Sequence, residues 1–229
     1  MIKFVVLSLF NDMFTSFLNT SIIKRSIEAD KLSVDLIDIR DFSEFKNKKV
    51  DDTPYGGGSG MVISAEPIAK AIDYAISLIK NLECEIIYMS PRGNLLNYNM
   101  CKEFSESCSN KAYILICGHY EGIDERVLEE YNIKEVSIGD YVLTGGEIAA
   151  MVFIDSVTRL VPGIITSESL INESHTNKLL EYPQYTKPSV FRGREVPEVL
   201  RSGHDKNITE YRNKKSLELT LKNRPDLLK

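Results

Sequence analysis

The segment SIGDYVLTGGEI, residues 137–148, shares its form with two earlier segments, ILICGHYEGIDERV at residues 114–127 and YMSPRG at residues 88–93. In each, an apolar run typical of a β-strand leads directly into a turn rich in glycine, proline or serine. Glycine at a strand end lets a ligand approach the backbone, because no side chain intervenes. A single glycine pair would indicate only a turn. Three such strand ends in one chain predict one shared pocket.

Composition indicates a globular protein with a substantial core. The chain has 229 residues, 43% of them hydrophobic, and this length predicts one or two domains. Its cysteines have no CxxC spacing, so we expect reduced, mostly buried thiols rather than a zinc module; they are Cys84, Cys101, Cys108 and Cys117. The apolar start, MIKFVVLSLF, is too short to span a membrane and precedes a polar helix rather than a cleavage site. We therefore expect a cytoplasmic protein that makes no membrane contact.

Charge is distributed unevenly along the chain. The net charge is −5, which by itself disfavours a nucleic-acid partner, because phosphate contacts need lysine and arginine. Residues 183–229 nevertheless hold 11 Lys and Arg against 6 Asp and Glu, so this tail carries +5 and the remainder −10. A basic tail on an acidic body predicts RNA docking on the tail, although a solvated basic helix face would give the same count.

The hydrophobic pattern predicts an α/β protein. Residues 3–10 read as a buried parallel strand, residues 11–29 as a helix and residues 32–39 as a second strand. The same reasoning predicts helices at 65–81, 97–107, 123–130 and 147–160, and strands at 84–89, 112–117 and 135–138.

Three regions follow from the change in composition along the chain. Residues 1–160 form the first domain, and residues 161–176, rich in proline, glycine and small polar residues, form a linker. Residues 177–229 form a small, mainly helical domain with helices at about 205–215 and 216–223.

A glycine-rich segment, DDTPYGGGSGM, occupies residues 51–61. It has no GK[ST] end and so is not a P-loop, and Met61 stands where a dinucleotide fingerprint needs a small residue. We interpret it as a flexible loop that begins with two acids.

Four segments, SIGDYVLTGGE, CGHYEGIDERV, SPRG and DDTPYGGGSGM, resemble the signatures of the bacterial tRNA (guanine-N1)-methyltransferases of TrmD type, in that family's order and spacing. The resemblance runs from SLFNDMF at residues 8–14 to the C-terminal tail. It implies a SPOUT-class fold in which a deep trefoil knot holds S-adenosylmethionine. It also implies a homodimer with active sites between subunits, a tRNA substrate methylated at guanine 37, and a possible Mg2+ requirement.

The implied reaction needs a base and a cation. N1 of guanine carries a proton at neutral pH, so a base must remove it while a cation or donor stabilises the charge on O6. By resemblance the cation is Arg159, and the base is an acid of the linker. Counting back from LLEYPQYT gives Glu173, and counting forward from VPG gives Ser174. Serine cannot take a proton at neutral pH, which favours Glu173, and His175 is a third candidate.

The resemblance also implies the ligand-binding residues. Cofactor contacts carry over to Tyr88, Ser90, Pro91, Gly118, Tyr120, Glu121, Ile138, Gly139, Tyr141, Val142, Leu143, Gly145 and Gly146. Asp51 and Asp52 are expected near the target guanine. RNA contacts are expected as a group from Arg192, Arg194, Arg201, Lys206, Tyr211, Arg212, Lys214 and Lys215.

The chain departs from the family pattern at three places. Histidine stands at position 119, where arginine is common; residues 202–208, SGHDKNI, differ from the usual order; and the linker acid is displaced. The alternatives are therefore a knotted enzyme directed at ribosomal RNA, or an RNA-binding relative that transfers no methyl group.

Overall fold

The computed structural model describes residues 1–79, 82–107, 111–171 and 173–229. The chain forms two compact units, Met1–Ile165 and Thr166–Lys229. The boundary between the units falls inside the segment 161–176 that the sequence predicts as a linker. The roles assigned to the three predicted regions stay predictions.

The first unit is built around a parallel sheet. Its strands are β1 Ile2–Ser8, β2 Leu32–Asp38, β3 Asp51–Asp52, β4 Val62–Ile63, β5 Glu83–Leu95, β6 Lys111–Cys117 and β7 Lys134–Ser137. Five of them form one sheet in the order β2-β1-β6-β5-β7, and every pairing in it is parallel. The predicted α/β class with a buried parallel first strand is thus confirmed. The short strands β3 and β4 pair separately as an antiparallel hairpin.

Helices cover both faces of the sheet because the strand side chains alternate between two hydrophobic cores. The helices of this unit are α1 Thr15–Leu18, α2 Ser21–Glu28, α3 Ala65–Leu78, α4 Tyr98–Ser107, α5 Glu125–Glu130 and α6 Glu147–Thr158. Phe4 and Phe153 lie in one core, with Phe104 packed against the Phe153 ring. Leu7 and Ile72 lie in the other core. Complete burial of each such side chain contributes about 2 kcal/mol.

The prediction of one continuous helix at residues 11–29 is wrong. The chain instead forms a 3-10 helix at Asn11–Phe14 and then the separate helices α1 and α2. Between them the Asn19 side chain donates to the Thr15 carbonyl, and the Thr20 hydroxyl donates to the Ser16 carbonyl. Such local bonds compete with the helical pattern, and Ser21 takes a φ of 52° that interrupts it.

Two other predicted elements end at different residues in the structure. The strand predicted at 84–89 continues to Leu95, because the chain pairs again with β7 after an irregularity between Met89 and Asn94. The helix predicted at 65–81 ends at Leu78, and its predicted last residue, Asn81, lies outside the described residues.

Two of the cysteines fit the prediction of buried thiols, since Cys101 and Cys117 are buried. The prediction is wrong for Cys84, which is exposed because it stands next to the first residue of β5. Cys108 lies outside the described residues.

The second unit is small and mainly helical. Its elements are α7 Ser167–Leu170, the hairpin of β8 Val190–Phe191 and β9 Arg194–Glu195, α8 Glu198–Arg201, α9 Asp205–Asn223 and a 3-10 helix at Pro225–Leu228. The two helices predicted at about 205–215 and 216–223 are one helix, because no glycine or proline interrupts the sequence before Pro225. The Thr220 hydroxyl of α9 accepts the Leu180 N–H at 2.8 Å, which fixes the start of this unit against its long helix.

Candidate functional site

A cavity of about 250 Å3 lies where the loops after β6 and β7 meet the second half of β5. All the residues predicted to contact the cofactor line this cavity: Tyr88, Ser90, Pro91, Gly118, Tyr120, Glu121, Ile138, Gly139, Tyr141, Val142, Leu143, Gly145 and Gly146. The sequence predicted one shared pocket at these strand ends, and the structure brings them together. It adds residues for which no role in cofactor binding was assigned, among them His119, Thr144 and Ala149.

Close backbone contacts explain the glycines of the cavity. The Gly146 N–H donates to the Gly118 carbonyl at 2.9 Å, which joins the loop after β7 to the loop after β6. A β-carbon at position 146 would lie 2.7 Å from the Cys117 α-carbon, and one at position 118 would lie 2.6 Å from the Tyr88 hydroxyl. Position 146 therefore requires glycine, because a side chain there would meet backbone, whereas a side chain at position 118 would displace the Tyr88 ring. Burial raises the pKa of Tyr88 to about 12, which keeps its hydroxyl protonated.

β5 pairs with β7 both before and after the SPRG turn. Val136 is aligned with Met89 on one side of the irregularity and with Asn94 on the other, and the Leu96 N–H donates to the Ser137 carbonyl at 2.8 Å. A β-carbon at Gly93 would collide with the backbone of Glu135 and Val136. The SPRG turn therefore passes directly over the β7 backbone.

The SPRG turn is also held by charged side chains. The Arg92 guanidinium donates to both oxygens of Glu135, at 3.1 and 3.2 Å, and to Glu125 at 3.0 Å. These hydrogen bonds raise the pKa of Arg92. The ion pairs are solvent-exposed, so their contribution is mainly to the orientation of the turn.

The glycine-rich segment is more ordered than predicted. Its ends, Asp51–Asp52 and Val62–Ile63, pair as a hairpin, while glycines with positive φ angles form its tip. Three backbone hydrogen bonds join the hairpin to the cavity wall: Glu121 N–H to the Met61 carbonyl, Ile63 N–H to the Gly122 carbonyl, and Asp124 N–H to the Ile63 carbonyl, all between 2.9 and 3.0 Å. The predicted flexible loop is thus anchored at its base.

Asp51 and Asp52, at the start of this hairpin, differ in exposure. Asp51 is half-buried and Asp52 is exposed. The Thr53 N–H and, to a smaller extent, the Lys49 ammonium lower the pKa of Asp52, so this carboxylate is charged at neutral pH.

A buried polar chain stands behind the cavity. Ser8 donates its hydroxyl proton to Glu147 at 2.7 Å, and the other Glu147 oxygen lies 3.1 Å from Nε2 of His119. Glu147 is only 1% exposed, although burying an ionised carboxylate is costly. The sequence motifs assign no role to Glu147, and Ser8 lies 139 positions away in the chain.

The candidate catalytic residues belong to different units. Arg159 is half-buried and follows the last residue of α6 in the first unit, as the resemblance implies. Glu173 is half-buried in the second unit. The Ser174 hydroxyl oxygen accepts the Glu181 N–H at 3.0 Å, and this structural bond speaks against Ser174 as the base. His175 is exposed with a φ of 78°.

The residues predicted to contact RNA lie in two parts of the second unit. Arg192, Arg194 and Arg201 are exposed on the β8–β9 hairpin and α8. The rest lie on α9, where Tyr211 and Lys215 are half-buried and the others exposed: Lys206, Tyr211, Arg212, Lys214 and Lys215. Arg212 stacks over the Tyr182 ring at 4.8 Å, and Lys215 lies 5.9 Å from the centre of the Tyr211 ring. Cations and aromatic rings are therefore placed together in this unit.

The whole chain matches a known family. Residues 2–229 match the family described as tRNA (Guanine-1)-methyltransferase TrmD. The chain belongs to this family. A relative from Ruminiclostridium cellulolyticum is 51% identical over 98% of this chain and 95% of its own length. A relative from Caldanaerobacter subterraneus is 52% identical over 99% of this chain and 91% of its own length. Both are named tRNA (guanine-N(1)-)-methyltransferase.

Membership in the TrmD family confirms the resemblance and the enzyme class inferred from the four signature segments. The chain is a tRNA (guanine-N1)-methyltransferase, and the two alternatives are not favoured. Among the described residues, no group of three or more His, Cys, Asp or Glu side chains could hold a metal ion. In the same part of the chain, no helix is both long and apolar enough to cross a membrane.

Proposed function

We propose that this enzyme transfers the methyl group of S-adenosylmethionine to N1 of guanine at position 37 of tRNA, next to the anticodon. One observation carries the proposal: in a chain of the TrmD family, the residues that resemblance assigns to the cofactor surround a single cavity. We further propose that the enzyme works in the cytoplasm, since its tRNA substrate is used in translation there.

The residues of the cavity fit this cofactor. Ile138, Leu143 and Ala149 give an apolar wall suited to an adenine ring, while Ser90 and Glu121 provide polar groups for the amino-acid end. A β-carbon at Gly139 or at Gly145 would occupy space now left to the side chains of Tyr141 and His119. When bound, S-adenosylmethionine supplies a methyl group on a sulfonium, which is a good leaving group.

We infer that the irregular pairing of β5 with β7 around the SPRG turn belongs to a trefoil knot of SPOUT class. Support comes from Val136, which is aligned with β5 both before and after the SPRG turn, and from Gly93, which has no room for a side chain. When a chain passes through its own loop, the knot itself holds such a turn in place, and no extensive hydrophobic core is needed beneath the turn. The cavity wall is then rigid before any ligand binds, which favours binding.

The proposed mechanism assigns one task to each catalytic residue. Glu173 accepts the N1 proton of guanine, so that the N1 lone pair can attack the methyl carbon. Arg159 donates to O6, where negative charge develops as the proton leaves. The hairpin that contains Asp51 and Asp52 faces the base, and the cations of α9 and the β8–β9 hairpin contact the tRNA backbone.

We propose a homodimer on the basis of an exposed apolar surface in the first unit. The side chains of Ile148 and Val152 on α6 are 47% and 41% exposed, and those of Phe10 and Met13 are 42% and 44% exposed. The 3-10 helix containing Met13 packs against α6, so the two elements that carry these side chains adjoin each other. Exposed apolar side chains on adjoining elements are typical of an interface.

A charge placed in this surface tests the dimer. Val152→Asp is expected to convert the dimer to a monomer and to abolish methyl transfer, because a buried unpaired carboxylate is costly. Ile76→Asp is the matched control, since Ile76 is 39% exposed on α3, which covers the other face of the sheet. Analytical ultracentrifugation measures the mass of each variant. A wild-type chain that is monomeric at all concentrations and fully active would contradict the proposal.

Transfer of labelled methyl from S-adenosylmethionine tests the function. Unmodified tRNA with guanine at position 37 is expected to accept label, and the same tRNA with adenine there is expected to accept none. Label on both would contradict the assigned position. If neither were labelled while cofactor still bound, the protein would be an RNA-binding relative without transfer activity.

A further inference from the structure

The buried Glu147 fixes the direction of its hydrogen bonds. The Phe10 N–H donates to the Ser8 hydroxyl oxygen at 2.9 Å, so the hydroxyl proton is directed to Glu147. Glu147 is the first residue of α6, where the helix dipole stabilises negative charge. A carboxylate that is 1% exposed needs donors on both oxygens. The remaining donor is Nε2 of His119, 3.1 Å from the second oxygen.

The His119 ring is held between two neighbours. The Phe10 ring lies on one side, with 4.7 Å between the ring centres. On another side the ring lies so close to Gly145 that a β-carbon there would collide with Nε2. Rotating the ring by half a turn would replace Nε2 with a carbon and break the bond to Glu147. The ring therefore has one favoured orientation.

This orientation leaves one nitrogen unused. If Nε2 carries the proton, Nδ1 has a free lone pair that can accept a hydrogen bond. No residue in the described part of the chain is hydrogen-bonded to Nδ1. His119 lines the cavity, so a ligand bound there can supply the donor.

We propose that His119 is a further ligand-binding residue of this site, held by Glu147 and Ser8 in the Nε2–H tautomer so that Nδ1 accepts a hydrogen bond from a hydroxyl or amino group. Glu147 and Ser8 are then positioning residues. The inference rests on the proposed function, because both possible sources of the donor, the cofactor and the target nucleoside, are ligands of that reaction.

Two substitutions of His119 separate the roles of its nitrogens. The glutamine side chain in His119→Gln reaches as far as Nε2 and keeps a donor for Glu147, but it offers no acceptor at the Nδ1 position. The asparagine side chain in His119→Asn reaches only as far as Nδ1 and restores an acceptor there. We expect His119→Gln to weaken ligand binding about three- to tenfold, as for loss of one hydrogen bond, and His119→Asn to recover part of it.

Two binding measurements identify the source of the donor. Calorimetric titration with S-adenosylhomocysteine reports contact with the cofactor, and KM for tRNA at saturating S-adenosylmethionine reports contact with the nucleoside. A change in either value in His119→Gln supports the proposal. Unchanged values for both would overturn it. His204→Gln is the matched control for the cofactor titration, because His204 is exposed in the second unit.

The tautomer is measured directly. The chain has three histidines, so proton–nitrogen correlation spectra of histidine-labelled protein are simple, and the signal lost in His119→Gln assigns His119. At about pH 8 we expect a protonated Nε2 and an unprotonated Nδ1. A protonated Nδ1 would overturn the proposal. Glu147→Gln, which keeps the shape of the side chain, is expected to give a mixture of tautomers.

Failure of this inference differs from failure of the proposed function. If wild-type protein transfers methyl to tRNA and His119→Gln is indistinguishable from it, only the role of His119 is wrong. If wild-type protein transfers none, the proposed function is wrong, whatever tautomer is found. Thermal unfolding of each variant shows whether a loss of binding comes from loss of folding.

Discussion

The Glu173→Gln enzyme is expected to transfer methyl groups at least about a hundredfold more slowly than the wild-type enzyme, with its affinity for S-adenosylmethionine retained. Glutamine keeps the size and polarity of the side chain but cannot take the N1 proton. Single-turnover methyl transfer to tRNA measures the rate, and calorimetric titration with S-adenosylhomocysteine measures cofactor affinity.

Two comparison variants test whether the loss of rate in Glu173→Gln comes from the loss of a general base. Glu173→Asp keeps the carboxylate, one methylene shorter, and should retain much of the rate that glutamine loses. His175→Ala removes the competing candidate, and we expect it to keep most of the activity because its side chain is exposed. Wild-type turnover in Glu173→Gln, together with a large loss in His175→Ala, would move the role of base to His175.

The Arg159→Ala enzyme is expected to lose roughly a hundredfold to a thousandfold in rate, again with little change in cofactor affinity. This is the range expected when one donor to a developing negative charge is removed. Arg159→Lys keeps the charge but not the planar pair of donors, so an intermediate rate is expected. The pH dependence of single-turnover rates separates this loss from loss of the base.

Arg159 also follows α6, where a cation stabilises the end of a helix by about 0.5 kcal/mol. A purely structural role would lower the melting temperature and leave the rate of the folded enzyme unchanged. Arg25→Ala serves as the control, because Arg25 is exposed in the last turn of α2 and donates to the Ser21 carbonyl of its own helix. An unchanged rate in Arg159→Ala would remove its proposed role.

Local sequence was sufficient for the elements with strong patterns. The parallel strands β1 and β6 are almost entirely apolar, which is typical of strands buried on both faces, and the structure places them at the centre of the sheet. Local sequence failed where side chains compete with the backbone. At residues 19–21 the bonds of Asn19 and Thr20 divide a predicted helix, although the apolar spacing runs through the division.

The signature segments also predicted which residues share a cavity, because glycine-rich turns after parallel strands meet at one edge of a sheet. The same reasoning did not identify the residues behind that cavity. His119 was noted only as a departure from the family pattern, and nothing near Ser8 in sequence indicates that it bonds to Glu147. The fold alone joins these distant positions, by placing the end of β1 beside the start of α6.

The sequence by itself determined the α/β class and, through its signature motifs, the enzyme family and most of the residues that line the cavity, because motifs and periodicities are carried by a few neighbouring residues. Only the tertiary structure decided that β5 continues past the SPRG turn and pairs with β7 again, that the glycine-rich hairpin is bonded to the cavity wall, and that a buried carboxylate orients His119. Each of these depends on contacts between segments far apart in the chain. Such contacts form when the sheet brings the segments together, and no local pattern encodes them.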